Sequence, residues 1–149
     1  MQGKICSYDF NHSTFVMKIN LFKLGEHPFN LLFRFLLELA VLGVVAIWSW
    51  KSFEGWQGTV LAIVIPFVMA VIWGTFAVPD DPSRSGKAPV PIPGGVRLLL
   101  ELIFFFFAVW CLYELGFSGL GRVFGLLVGL HYLISADRVK WLIKKSPAD

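Results

Sequence analysis

The sequence predicts an all-α membrane protein: four transmembrane helices in one bundle, built as two tandem helical hairpins that form a parallel internal repeat. Three observations predict it. Hydrophobic residues make up 56% of the 149 positions and charged residues only 15%, with a mean hydropathy of +0.70, a balance that belongs to chains solvated by lipid. Apolar stretches at about 31–50, 58–78, 96–115 and 120–142 each approach the ~20 residues that a helix needs to cross ~30 Å of hydrocarbon. The third is a repetition: Arg34-Phe35-Leu36-Leu37-Glu38-Leu39 in the first stretch is matched by Arg97-Leu98-Leu99-Leu100-Glu101-Leu102 in the third.

The chain divides into a polar segment at 1–28, a transmembrane domain at 29–143 and a short tail at 144–149. Residues 1–16 read as poorly ordered, and Met17 stands where a shorter chain could begin. Ile19, Leu21, Phe22 and Leu24 alternate with Lys18 and Lys23 as in a segment lying on a membrane surface. No cleavable secretory signal is visible, because the first apolar run has the length of a full span. Asn30 after Pro28 reads as the N-cap of the first helix. Lys51 to Gly58 forms a short outer loop flanked by Trp48 and Trp50, whose rings favour the headgroup level. Pro66 removes one backbone hydrogen bond inside the second span. Between Pro79 and Gly95 five prolines forbid a helix, and Ala88 to Pro93 is extended before Gly94-Gly95 turns into the third span. In the fourth span Gly121, Gly125 and Gly129 form a narrow stripe for close helix packing.

The net charge is +3, and its distribution sets the topology. Lys4, Lys18, Lys23, Arg34, Arg84, Lys87, Arg97, Arg138, Lys140, Lys144 and Lys145 fall at the N-terminal side, the middle loop and the C-terminus. Only Lys51 and Arg122 flank the other loops, so the positive-inside rule places both termini and the middle loop in the cytoplasm. These residues read as topology determinants near anionic headgroups rather than a nucleic-acid surface. The expected partners are the bilayer and a second copy of the chain or another membrane protein. Cys6 and Cys111 lie too far apart to pair and read as ordinary thiols.

Candidate functional residues are few. A spacing of four puts Arg34 and Glu38 on one helix face, and likewise Arg97 and Glu101. Both elements fall in the cytoplasmic half of the bilayer, where arginine snorkels outward but the shorter carboxylate must be paired or turned inward. The expectation is therefore two inward glutamates in a four-membered network, with Arg34 reaching Glu101 and Arg97 reaching Glu38. Such a network pins helix register; the alternative is a carboxylate that exchanges protons, opposed by the arginine one turn away. His131, followed by Tyr132, reads as a hydrogen-bonded packing residue. No metal-ligand spacing, cofactor motif or nucleophile and base set stands out, so neither a metal, a cofactor nor catalysis is expected.

Trp73-Gly74-Thr75-Phe76, followed by Pro79 and Arg84 and set between the two Arg/Glu elements, resembles the YrdB-like family of small bacterial membrane proteins. The resemblance spans about residues 30–140 and adds Trp73, Gly74 and Arg84 to the candidates. It implies a four-span protein and carries no reaction, cofactor or catalytic residue with it. The sequence thus points to a non-enzymatic membrane component, with a small proton-linked transporter acting through Glu38 or Glu101 as the alternative.

Overall fold

The computed structural model describes residues 27–81, 83 and 88–145. The surface segment expected around Ile19 to Leu24, Cys6 and Arg84 all lie outside them. Five helices follow in order: α1 Pro28–Ser52, α2 Gly55–Thr75, α3 Gly94–Glu114, α4 Ser118–Ile134 and α5 Ala136–Lys144. A two-residue strand β1 (Phe76–Ala77) pairs in parallel with β2 (Val90–Pro91) between α2 and α3. Helices satisfy their backbone groups internally, as a chain in hydrocarbon requires. Helices α1, α2 and α3 are long and apolar enough to cross a membrane, and the α4–α5 pair qualifies when taken as one bent span.

Helix α1 begins with Pro28, whose missing N–H costs nothing at that position. Its cap is His27, where Nδ1 accepts the Phe29 N–H at 3.4 Å. Asn30, the expected cap, instead lies inside the first turn and is buried. Leu37, Val41, Val45 and Ser49 recur every four residues and form the buried stripe of α1. Phe105, Ala108 and Leu112 of α3, with Phe124 and Val128 of α4, close the core, together with the buried free thiol of Cys111. From α2 only Gly58 and Met69 are buried, so this helix sits at the side of the bundle, against α1.

The links are tighter than the composition suggests. Lys51 and Ser52 still belong to α1, and only Phe53 and Glu54 separate it from α2. Trp48 turns inward there, with its ring 5.4 Å from Trp110 and 5.6 Å from Phe107. The proline-rich connection is extended at Val90–Pro91, as expected, and Ile92 N–H donates to Ala77 O at 2.9 Å. That bridge holds the end of α2 beside the start of α3.

Two expectations need correction. The fourth apolar stretch is not one straight helix: it bends by 70° between α4 and α5. Its first part has 17 residues, about 26 Å at 1.5 Å per residue, while Asp137, Arg138, Lys140 and Lys144 make α5 too polar to continue through lipid. The glycine stripe is also not uniformly a packing surface. A methyl at Gly121 would stand 3.0 Å from the Tyr113 ring and one at Gly125 3.9 Å from Val109, but one at Gly129 meets nothing within 4 Å. The closest approach lies elsewhere, at Gly94, where a side chain would overlap the backbone of Leu142 and where Gly94 N–H donates to Lys145 O at 3.1 Å.

Candidate functional site

The polar residues of the bundle gather where α1 and α3 begin, α2 ends and α5 folds back. Their centre is Glu101, which is 1% exposed. Its Oε1 accepts from Arg138 Nη2 at 2.8 Å, Arg34 Nη2 at 2.9 Å and Arg97 Nε at 3.2 Å. Oε2 accepts from Arg138 Nη1 at 3.0 Å and Tyr132 Oη at 3.3 Å. Arg138 therefore grips the carboxylate with two nitrogens, the geometry for which a guanidinium is best suited.

Arg138 also binds Asp81, with Nη2 at 2.9 Å from Oδ2. Asp80 makes this possible by adopting φ +59, a left-handed turn that Asp tolerates better than most residues, so that Asp81 points inward. Ser83 N–H and Oγ donate to Asp81 Oδ1 at 2.9 and 2.7 Å. Ser83 Oγ accepts in turn from Arg138 Nε at 2.7 Å and Arg34 Nη1 at 3.0 Å. Burial alone would raise the pKa of Asp81, but hydrogen bonding and charge from Arg138, with the Ser83 contacts, hold it below the ordinary carboxylate value.

The sequence pairing is half realised. Arg34 does reach Glu101, which sets the two repeated elements at one level, and Arg34 Nε holds Glu38 Oε1 at 2.8 Å. Arg97 does not reach Glu38. Its Nη1 donates to Trp73 O at 2.9 Å and Phe76 O at 2.6 Å. Helix α2 leaves its last carbonyls without partners, and a cation favours that negative end. Arg97 Cζ also lies 4.2 Å from the centroid of Trp73, whose other neighbours include Phe104 at 5.3 Å. Trp73 thus orients Arg97, and Gly74 lines the cleft beside it.

The two glutamates differ in consequence. Glu101 is enclosed, whereas the Glu38 side chain is 24% exposed and takes its ion pair from Arg34 alone among the described residues. Three guanidinium groups, of Arg34, Arg97 and Arg138, face the three carboxylates of Glu38, Asp81 and Glu101, and the cluster balances.

His131 sits outside this cluster, in a second buried group. Asn30 Oδ1 accepts from His131 Nδ1 at 3.1 Å while Asn30 Nδ2 donates to Ser135 Oγ at 2.7 Å. That places the ring proton on Nδ1 and ties the first turn of α1 to the bend after α4. His131 is buried there. Among the described residues no group of His, Cys, Asp or Glu is arranged to hold a metal ion.

Sequence reasoning missed Asp81, Ser83 and Asn30 as site residues and counted Arg138 only as a topology signal. A usable sign was the charge density after Ser135, where Asp137, Arg138, Lys140 and Lys144 follow one another closely and would be costly in lipid.

Comparison with known proteins places these residues in a wider set. The family model described as a protein of unknown function, DUF2568, matches residues 32–128, which include Arg34, Glu38, Trp73, Asp81, Arg97 and Glu101 and stop short of Arg138. The chain is 44% identical over 116 residues to the uncharacterized protein YrdB of Bacillus subtilis (strain 168), covering 78% of this chain and 94% of that protein. No solved structure matches.

Proposed function

The chain belongs to the DUF2568 family of proteins of unknown function, and from that starting point we propose that it is a non-enzymatic component of the bacterial cytoplasmic membrane. It crosses four times, with both termini inside and its two hairpins related as a parallel repeat, and it acts through contacts with lipid or neighbouring membrane proteins. The observation that carries this reading is Glu101. A carboxylate that shuttles protons must release its cations in each cycle, and here that would take one ion-pair partner from Arg34, Arg97 and Arg138 at once. The network serves instead as a lock that fixes α1, α3 and α5 against one another. Outside it, the large apolar side chains of Phe67, Phe106, Leu126 and Leu133 face outward, a surface suited to lipid and to partner helices.

Reconstitution into proteoliposomes holding a pH-sensitive dye tests the reading. Under an imposed pH gradient, vesicles with the protein are expected to leak protons no faster than empty ones. Protein-dependent flux that disappears in a folded Glu101→Gln variant would return the transporter reading. Orientation is checked separately by single-cysteine labelling in a cysteine-free background. Ser52→Cys is expected to react with impermeant reagent from outside only, and Ser85→Cys from the cytoplasmic side only; the reverse pattern overturns the topology.

A further inference from the structure

Glu38 and Glu101 are equivalent in the sequence repeat but not in their surroundings, and the difference points to a binding site. The ion pairs form an alternating series, Asp81, Arg138, Glu101, Arg34 and Glu38, with Arg97 branching from Glu101 toward the α2 carbonyls. At one end Asp81 is closed off by Ser83. At the other, Glu38 uses Oε1 for Arg34, and Oε2 has no hydrogen-bond partner among the described residues. A series of alternating charges that ends on a half-open carboxylate attracts a positive group at its next place.

Glu38 also lines two neighbouring cavities. One, of about 190 Å³, is apolar and is walled by Phe35, Leu42, Met69 and Phe104. The other, of about 290 Å³, runs to Arg34, Ser83 and Arg97. Glu38, Phe35, Trp73 and Gly74 line both. The apolar space exceeds the ~150 Å³ of a dry protein cavity that takes up benzene, so it admits a short hydrocarbon chain or a single ring. A positive head at Glu38 with an apolar tail beside Met69 matches both halves of the cleft.

We propose that the cleft between α1 and α2 binds an amphipathic monocation of the alkylammonium class, with its head on Glu38 Oε2 and its tail in the apolar cavity. This goes beyond the role proposed for the Glu101 lock and does not require it, because the lock and the ligand use different carboxylates.

The test uses the full chain in nanodiscs of zwitterionic lipid, titrated calorimetrically with n-octylammonium and corrected with empty nanodiscs. Saturable uptake of one octylammonium per chain is expected, with 1-octanol and octanoate giving no saturable signal. Glu38→Gln should weaken binding at least tenfold. Gly74→Leu supplies an independent arm: no atom lies within 4 Å of a Cβ at Gly74, so leucine there narrows the cleft and should also abolish binding, with the unfolding midpoint measured alongside to show that the variant is folded. Uptake that matches empty nanodiscs overturns the proposal. So does equal binding of 1-octanol, or preferred binding of octanoate, which would make the arginines the recognition element. Octylammonium binding unchanged in either folded variant overturns it as well.

Discussion

Replacing Glu101 with glutamine is expected to destabilise the bundle by about 3–5 kcal/mol, the usual cost of removing one partner from a buried ion pair. The figure belongs to a group 1% exposed that serves Arg34, Arg97 and Arg138 together. Glutamine retains one acceptor oxygen but turns an N–H₂ toward guanidinium groups that are themselves donors, so it cannot satisfy the site. Glu38→Gln should cost at most about 1 kcal/mol, because a partly exposed pair contributes little. Unfolding in mixed micelles, followed for both variants and for Glu101→Gln combined with Arg34→Gln, checks this. The double variant should lose less than the sum of the singles, since each residue is the other's partner. Equal costs at Glu38 and Glu101 would restore the symmetric network expected from the repeat.

The second large effect should come from a single methyl. Alanine is favoured over glycine within helices by up to about 1 kcal/mol, yet Gly94→Ala is expected to destabilise the protein by about 3 kcal/mol. Its Cβ would overlap the Leu142 backbone, and overpacking against atoms that cannot change rotamer costs about 1–3 kcal/mol by itself. Separating α5 from α3 also draws Arg138 away from Glu101 and Asp81. Hydrogen exchange across 136–144 should accelerate markedly in Gly94→Ala. Gly95→Ala is the control: no atom lies within 4 Å of that Cβ, so it should be neutral or slightly stabilising. Slow exchange at 136–144 in Gly94→Ala would mean that α5 is held by something other than this close approach.

How far the sequence discloses these features depends on the range of the interactions behind them. The apolar lengths of α1, α2 and α3 and the four-residue spacing within each Arg/Glu element are local, and they are readable as such. The contact of Arg34 with Glu101 follows from placing two like elements at one depth. The turn of Arg97 toward Trp73 and Phe76 does not, because it depends on where α2 ends and how its free carbonyls are presented. The pairing of Gly94 with Leu142 is likewise invisible in one dimension, and a four-residue glycine spacing is too common to reveal that Gly121 is tight and Gly129 open. The bend at Ser135 is an intermediate case. Ser135 followed by Asp137, Arg138, Lys140 and Lys144 is a helix-start signal with a charge load, but the apolar residues among them, Val139, Trp141, Leu142 and Ile143, let the hydropathy run on.

The fold of α5 back onto Glu101 of α3 also sets an order of events during synthesis. Arg138 lies 37 residues beyond Glu101 and 57 beyond Asp81, and Ser135 lies 105 beyond Asn30. When α1, α2 and α3 have left the ribosome, two of the three arginines that hold Glu101, Arg34 and Arg97, are available, and Arg138, which also holds Asp81, is not. The bundle therefore closes only once α5 emerges and completes a centre that the earlier helices leave open.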